Sequence, residues 1–207
     1  PYFIDLEYLC KEGYLKKKEC ESFDWGGSEK YIDYGTMYAS RYALLKKAYA
    51  RFKDNVPADY AGFCKKEAEW LDEYSLFMAL KDANDGVAWL EWDEELKIRK
   101  PEAIAEARKT YADDIAFYCM LQYLFFKQWK ELKSYANEKG IEIIGDVPIY
   151  VALDSADVWA NPTQFYLDEE LNPIEVAGCP PDAFSEDGQL WGNPLFRWDV
   201  MKKDDYA

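Results

Sequence analysis

Composition sets the first limits on what this chain can do. The 207 residues include 25 Lys and Arg against 40 Asp and Glu, a formal net charge of −15. A nucleic-acid footprint needs clustered Lys and Arg to displace counterions from phosphates, so this charge argues against nucleic acid and against an anionic membrane surface. The length suits one substantial core, and no apolar run approaches the roughly 20 residues that span a bilayer.

The chain contains no histidine. This excludes from these residues Ser-His-Asp and Cys-His catalysis, His-ligated zinc and imidazole acid–base chemistry. Carboxylates, Tyr, Lys or Cys remain for proton transfer. The cysteines stand at 10, 20, 64, 119 and 179 without a C-x-x-C pair. An odd number at wide spacing favours reduced thiols, so we expect a cytoplasmic protein.

Apolar stripes at helical spacing run through the first part of the chain. They predict helices over 36–53, 58–82, 101–111 and 113–139, and packing between helices explains the stripes. Gly140 suits the position just after the last of these helices, where a left-handed backbone ends a helix.

The pattern changes after Gly140. Residues 141–151 read IEIIGDVPIYV, and six of the nine prolines lie in 148–194. A long helix, a glycine and an apolar run predict a step into a parallel strand that is buried on both faces. A carboxylate in such a run is costly unless it is hydrogen-bonded or faces a ligand. Asp146 is therefore a candidate functional residue, with a satisfied structural carboxylate as the alternative.

The segment after this strand mixes rigid and flexible positions. Residues 154–159 predict a short helix with Ser155 or Asp154 as its N-cap, and 165–176 predict a hairpin. Residues 177–196 hold aromatics, amides and carboxylates but too few apolar side chains for a core of their own. Such a loop favours carbohydrate recognition, and a surface loop anchored by buried aromatics is the alternative.

Four ordered blocks in this region resemble the 4-alpha-glucanotransferases, the amylomaltases and disproportionating enzymes of glycoside hydrolase family 77. The blocks read GDVPIYV at 145–151, SADVW at 155–159, AGCPPD at 177–182 and GQLWGNP at 188–194, and PYFIDLE at 1–7 is also similar. The resemblance implies an α/β fold, a partial (β/α)8 TIM barrel with a mostly helical insertion and a long active-site loop. The implied parts are a barrel segment at 1–20 after an early strand, a helical insertion at 21–110, and a region at 111–207 that holds a barrel helix, the strand at about 141–151 and the glucan-binding loop.

The resemblance also implies an activity. The family transfers α-1,4-glucan segments between maltooligosaccharides or starch-derived glucans through a covalent intermediate, with an Asp nucleophile and a Glu acid/base, and uses no metal or organic cofactor. Its nucleophile lies in an Arg-x-Asp-His-Phe motif, and a further active-site Asp follows a His. A chain without His contains neither motif, so we expect an internal fragment that holds no catalytic residue and is inactive alone. In such a fragment, the helix faces that would pack against the rest of the barrel are exposed. Self-association of the fragment is therefore one way to cover them.

The same resemblance implies that an α-1,4-glucan or maltooligosaccharide contacts residues of the last region. Asp146 would organise the subsite beside the scissile bond. Phe184 would stack on an acceptor-side glucose while its loop excludes water. The other glucan-binding candidates are Asp182, Ser185, Trp191 and Asn193. Trp159 serves equally well as a packing anchor.

Three alternatives remain beside a glucanotransferase. A non-catalytic α-glucan-binding module would use the same aromatic loop. A helical protein-interaction domain would use the acidic surface and the aromatic stripes. A hydrolase of the wider α-amylase group is disfavoured, because the Asn-His usual at that strand is absent.

Overall fold

A computed structural model gives the structure of residues 1–28 and 30–206, and helices dominate it. The chain divides into two compact units: unit 1 contains Pro1–Leu71 and Ala116–Ile143, and unit 2 contains Asp72–Ile115 and Ile144–Ala207. The α-helices are α1 (Leu6–Lys11), α2 (Lys17–Glu21), α3 (Tyr34–Asp54), α4 (Tyr60–Lys66), α5 (Ala68–Ala83), α6 (Glu94–Lys97), α7 (Pro101–Thr110), α8 (Ala112–Glu138), α9 (Ala156–Ala160) and α10 (Trp198–Met201). The strands are β1 (Val176–Cys179) and β2 (Gln189–Pro194), and 3₁₀ turns lie at Trp89–Glu91, Pro162–Gln164 and Lys202–Asp204.

Unit 1 is built around aromatic contacts between helices. Leu45 and Tyr49 of α3 are buried, and the Tyr49 ring meets Phe117 of α8 edge-on at 5.5 Å between centroids. Tyr123 of α8 meets Tyr60 of α4 in the same way at 5.3 Å, and its hydroxyl donates to Asp59 Oδ1 at 2.7 Å. Edge-to-face pairs of this kind add to the gain from burial itself.

Unit 2 has a core of large aromatic side chains. Trp89, Trp159 and Phe165 are almost fully buried, and Trp159 meets Trp92 edge-on at 5.6 Å. The Trp159 indole donates to the Leu96 carbonyl at 3.1 Å, so its polar atom is satisfied inside the core. Trp159 is therefore a packing anchor.

The predicted helices are confirmed, with one difference. Helix α8 ends as the sequence predicted, because Gly140 adopts φ +72° and the amide of Ile141 donates to Ala136 O at 3.0 Å. The expected single helix over 58–82 is instead two helices, α4 and α5, separated at Glu67. At this junction the Glu67 carboxylate accepts from the Trp70 indole at 2.9 Å.

The predicted buried strand at 141–151 is not observed. Ile144 and Val147 are 93% and 79% exposed, and no strand of the described residues pairs with this segment. An isolated extended segment has no ladder partners for its backbone groups, so local sequence alone cannot make it a strand. The two compact units are a different division of the chain from the predicted parts 1–20, 21–110 and 111–207, since residues 21–110 contribute to both units. The division into barrel segment, helical insertion and loop region stays a prediction.

Within residues 1–28 and 30–206, no helix combines the length and apolar character that crossing a membrane requires.

Candidate functional site

A short antiparallel hairpin carries the loop that the sequence singled out. Strands β1 and β2 pair with Gly178 opposite Leu190 and Cys179 opposite Gln189. A Cβ on Gly178 would lie 2.6 Å from Gln189 O, and one on Gly188 would lie 2.5 Å from Cys179 O. Since Gly188 also has φ +71°, only glycine fits there without a shift of the backbone.

The tip of this hairpin is held by its own polar side chains. Asp182 Oδ1 accepts from the amides of Phe184 at 2.8 Å and Ser185 at 2.9 Å. The Ser185 hydroxyl donates to Gly188 O at 2.7 Å. These bonds fold the tip into an Asx turn and leave the Phe184 ring 96% exposed.

The returning strand is tied to the end of the segment that contains Asp146. Asn193 Nδ2 donates to Val151 O at 2.9 Å, and Trp191 lies edge-on to Tyr150 with 6.0 Å between ring centroids. The Trp191 indole donates to Gln189 Oε1 at 3.0 Å and the residue stays 44% exposed. Trp191 and Asn193 are thus brought together at residues 150–151.

Asp146 itself lies on an exposed part of the 141–151 segment. The hydrogen bonds of the hairpin tip do not include Asp146, so no polar contact links Asp146 to the turn that carries Phe184 within the described residues.

A short helix and a turn support the base of the loop. The Ser155 hydroxyl accepts from Val158 N at 3.3 Å, which confirms Ser155 as the N-cap of α9. Asp154 pairs instead with the ammonium of Lys81 and accepts from Trp89 N at 3.3 Å. The predicted hairpin turn at 165–176 is also present, since Asp168 N donates to Asn172 O at 2.8 Å and Leu167 bridges to Pro173.

Sequence reasoning missed an aromatic cluster beside Trp191. The Tyr150 and Phe196 rings are nearly parallel, 13° apart with centroids at 6.3 Å, and Phe196 contacts Trp198 at 5.2 Å. Trp198 is 59% exposed. The excess of aromatic residues was the available signal, but the pairing depends on how β2 returns and not on spacing along the chain.

The geometry suits a flat, partly apolar ligand at a solvent-open surface. Phe184, Trp191 and Trp198 are 96%, 44% and 59% exposed, and the Gln189 amide lies against Trp191. Aromatic rings together with hydrogen-bonding groups are the combination that stacks on sugar rings and binds their hydroxyls. Clefts of about 520, 570 and 660 Å³ lie in unit 1 and take no lining residue from 145–194. Among the described residues, no group of three or more Cys, Asp or Glu is placed to hold a metal ion.

Comparison with known proteins gives one consistent result. A family model described as 4-alpha-glucanotransferase matches residues 1–207. A 4-alpha-glucanotransferase of Clostridium butyricum is 46% identical over 207 residues, which are 100% of this chain and 42% of that protein. One of Thermus thermophilus is 46% identical over 211 residues, covering 100% of this chain and 41% of that protein.

A solved structure agrees with these relatives. An amylomaltase from Streptococcus agalactiae in complex with acarbose superposes with a TM-score of 0.93 at 39% identity, over 100% of this chain and 42% of that one. The chain thus spans about two fifths of the length of the proteins it matches.

Proposed function

Because this chain belongs to the 4-alpha-glucanotransferase family, we propose that it forms part of an enzyme that transfers α-1,4-glucan segments between maltooligosaccharides or starch-derived glucans. The family match over all 207 residues supports this, as does the likeness to an amylomaltase whose structure contains acarbose. The proposal concerns the whole protein, since the chain covers only 42% of the length of a 46% identical relative.

The proposed reaction retains configuration at the anomeric carbon. An Asp carboxylate attacks C1 while a Glu carboxyl gives its proton to the departing O4, so the glycosidic bond breaks as the bond from C1 to Asp forms. The 4-hydroxyl of an acceptor then attacks C1, passes its proton to the Glu and releases the Asp. Residues 1–207 lack histidine and so lack both family motifs, and we expect them to be inactive alone.

The exposed Phe184 ring supports the proposal that this loop contacts a glucan. The backbone amides of Phe184 and Ser185 donate hydrogen bonds to the Asp182 carboxylate and so hold the turn that carries the ring, and Phe184 is 96% exposed. An exposed aromatic on a rigid turn can stack on an acceptor-side glucose at little cost in conformational entropy. In this view Asp182 and Ser185 position Phe184, while Trp191 and Asn193 place the returning strand beside the glucan.

The exposed apolar side chains of segment 141–151 support the proposal that the whole protein forms a barrel. Ile144, Val147 and Ile149 are 93%, 79% and 67% exposed, a degree of apolar exposure that neighbouring elements normally cover. We propose that this segment becomes a barrel strand in the whole protein, with Asp146 near its carboxyl end beside the scissile bond.

Replacing Phe184 by alanine in the whole protein tests the loop. If the ring holds the acceptor and excludes water, Phe184→Ala raises hydrolysis relative to transfer, because water then competes for the covalent intermediate. Hydrolysis is measured as the net increase in reducing ends during incubation with maltotriose, because transfer leaves their number unchanged, and transfer is measured as the formation of products longer than maltotriose. Phe3→Ala is the matched control, since Phe3 is 86% exposed in unit 1. An unchanged ratio in Phe184→Ala contradicts the shielding role.

A non-catalytic glucan-binding module is the second candidate. The observation that favours it is the aromatic surface at Trp191 and Trp198 in a chain without the family's His-containing motifs. Titration of residues 1–207 with maltoheptaose, followed by tryptophan fluorescence, tests it. A saturable change that Trp191→Ala abolishes supports sugar binding by the segment alone, and a flat response counts against it.

A further inference from the structure

Two cysteines of unit 1 lie side by side on the wall of a surface cleft. The Sγ of Cys10 in α1 is 3.7 Å from the Sγ of Cys20 in α2. Both residues are partly exposed thiols, and both line the cleft of about 570 Å³. A disulfide bond is about 2 Å long, so a small movement of the two side chains would join them.

We propose that Cys10 and Cys20 form a dithiol modification site, which low-molecular-weight disulfides such as oxidised glutathione convert reversibly into an intramolecular disulfide. The inference is independent of the proposed glucan chemistry, because it uses only residues of α1, α2 and the cleft between them.

Burial affects how readily the Cys20 thiol reacts. Burial and the hydrogen bond with Cys10 raise the pKa of the Cys20 thiol to about 11, so Cys20 is protonated near neutral pH. The thiolate is the attacking species in thiol–disulfide exchange, so the raised pKa disfavours Cys20 as the first nucleophile.

The exchange balances in two steps. Cys10 gives up its proton and attacks one sulfur of the reagent, and the first thiolate leaves. Cys20 then gives up its proton and attacks Cys10 Sγ in the mixed disulfide, and the second thiolate leaves. The protein loses two electrons and two protons, and the reagent gains them as two thiols.

The charges around the cleft suit a zwitterionic reagent. Lys11 and Lys17 supply ammonium groups and Glu7 and Glu21 supply carboxylates to its lining. Lys17 and Glu21 lie 3.8 Å apart as an exposed pair. Glutathione carries both an ammonium group and carboxylates, so the lining offers groups of opposite charge to each.

Peptide mapping of the whole protein tests the site directly. Trypsin cuts after Lys11 and after Lys16–Lys18, so it separates the Cys10 peptide from the Cys20 peptide unless a disulfide joins them. After treatment with oxidised glutathione and alkylation, we expect the linked pair, lighter than the two free peptides by two hydrogen atoms. Dithiothreitol should restore the separate peptides.

Variants and an unfolded control make the test specific. Cys20→Ser should trap glutathione on Cys10, whereas Cys179→Ser should leave the link intact. The link should form faster in the folded protein than in urea, because the fold and not mere chain proximity brings the sulfurs together. Recovery of unlinked peptides from the folded protein overturns the proposal. A rate of Cys10–Cys20 disulfide formation that is the same in urea also overturns it. Both measurements use the unsubstituted protein, so they do not depend on the folding of a variant.

Discussion

Phe184 and Asp182 show how neighbouring residues in one loop take different tasks. Asp182 uses one oxygen for two backbone amides, at 2.8 and 2.9 Å, and so fixes the turn. Phe184 contributes a ring that is 96% exposed. Asp182 thus fixes the backbone of the turn, and Phe184, two residues later, presents its ring to solvent.

Asp146→Asn in the whole protein tests the proposed subsite role of that carboxylate. Loss of the charge should lower kcat more than it raises KM for maltotriose, because the role concerns the transition state more than ground-state binding. Steady-state transfer kinetics measure both constants. Glu142→Gln is the matched control, since Glu142 is an exposed carboxylate four residues earlier. Normal turnover in Asp146→Asn would make Asp146 a structural residue.

Glu19→Gln tests an ion pair through its pH dependence. Arg51 contacts both carboxylate oxygens of Glu19, at 2.6 and 2.8 Å, and with the Lys16 amide lowers the pKa of Glu19 from 4.5 to about 2. A lowered folded-state pKa stabilises the fold above about pH 4.5, and this stabilisation is lost as the pH falls toward about 2.

We therefore expect a lower urea midpoint for Glu19→Gln than for the parent at pH 7, and a difference that shrinks as the solution is acidified below pH 4.5. Glu21→Gln is the control on the same helix, because the Glu21 side chain is 61% exposed and lies 3.8 Å from Lys17. A difference that stays constant down to about pH 2 would show that the Glu19 pair does not titrate in this window.

At the scale of single elements, α9 is a helix of one turn that depends on its cap. Its five residues place Val158 and Trp159 in the core of unit 2, and the Ser155 hydroxyl satisfies the Val158 amide. A helix this short has little stability of its own, so the cap and the core contacts together hold it.

Removing the cap should have a measurable cost. Ser155→Ala should lower the free energy of unfolding by about 1 kcal/mol, the usual loss for an N-cap serine. Urea unfolding followed by circular dichroism gives this value. Ser155→Asp keeps an acceptor at the same position and should stay near the parent; equal stability in all three proteins would show that the cap contributes nothing.

The elements also show what local sequence can and cannot predict. The end of α8 at Gly140 and the cap of α9 follow from backbone chemistry within a few residues: Gly140 was predicted, and Ser155 is one of the two caps that the sequence left open. The strand at 141–151 was not predicted correctly, because a strand requires partners that no local pattern supplies. The approach of Cys10 to Cys20 was missed for a similar reason: the packing of α1 against α2 sets that distance, and the ten-residue spacing carries no signal.

At the scale of the whole chain, charge is the dominant property. A net charge of −15 keeps copies apart by mutual repulsion near neutral pH, and the sequence isoelectric point is about 4.5. Repulsion vanishes where the net charge reaches zero, and the exposed apolar side chains of 141–151 can then bring copies together.

We expect residues 1–207 to show minimum solubility near pH 4.5. Light scattering during a titration from neutral to acidic pH measures this. Added salt should raise scattering at pH 7 by screening the repulsion and should have less effect near the isoelectric point. Scattering that is flat through pH 4.5 would show that charge does not govern association of this chain.

The tight approach at Gly178 and Gly188 has a consequence for how this loop can vary. The two glycines admit no side chain, since a Cβ at either would fall within 2.6 Å of a carbonyl oxygen. Between them, residues 183, 184, 186 and 187 are exposed and have no such restriction, whereas the Ser185 hydroxyl donates to Gly188 O. A library of the whole protein randomised at 183, 184, 186 and 187, with Ser185 and both glycines kept, should therefore yield mostly folded protein, whereas one that randomises the glycines should yield mostly misfolded protein. The two glycines thus constrain the sequence at the base of the hairpin, while the sequence of its tip can vary.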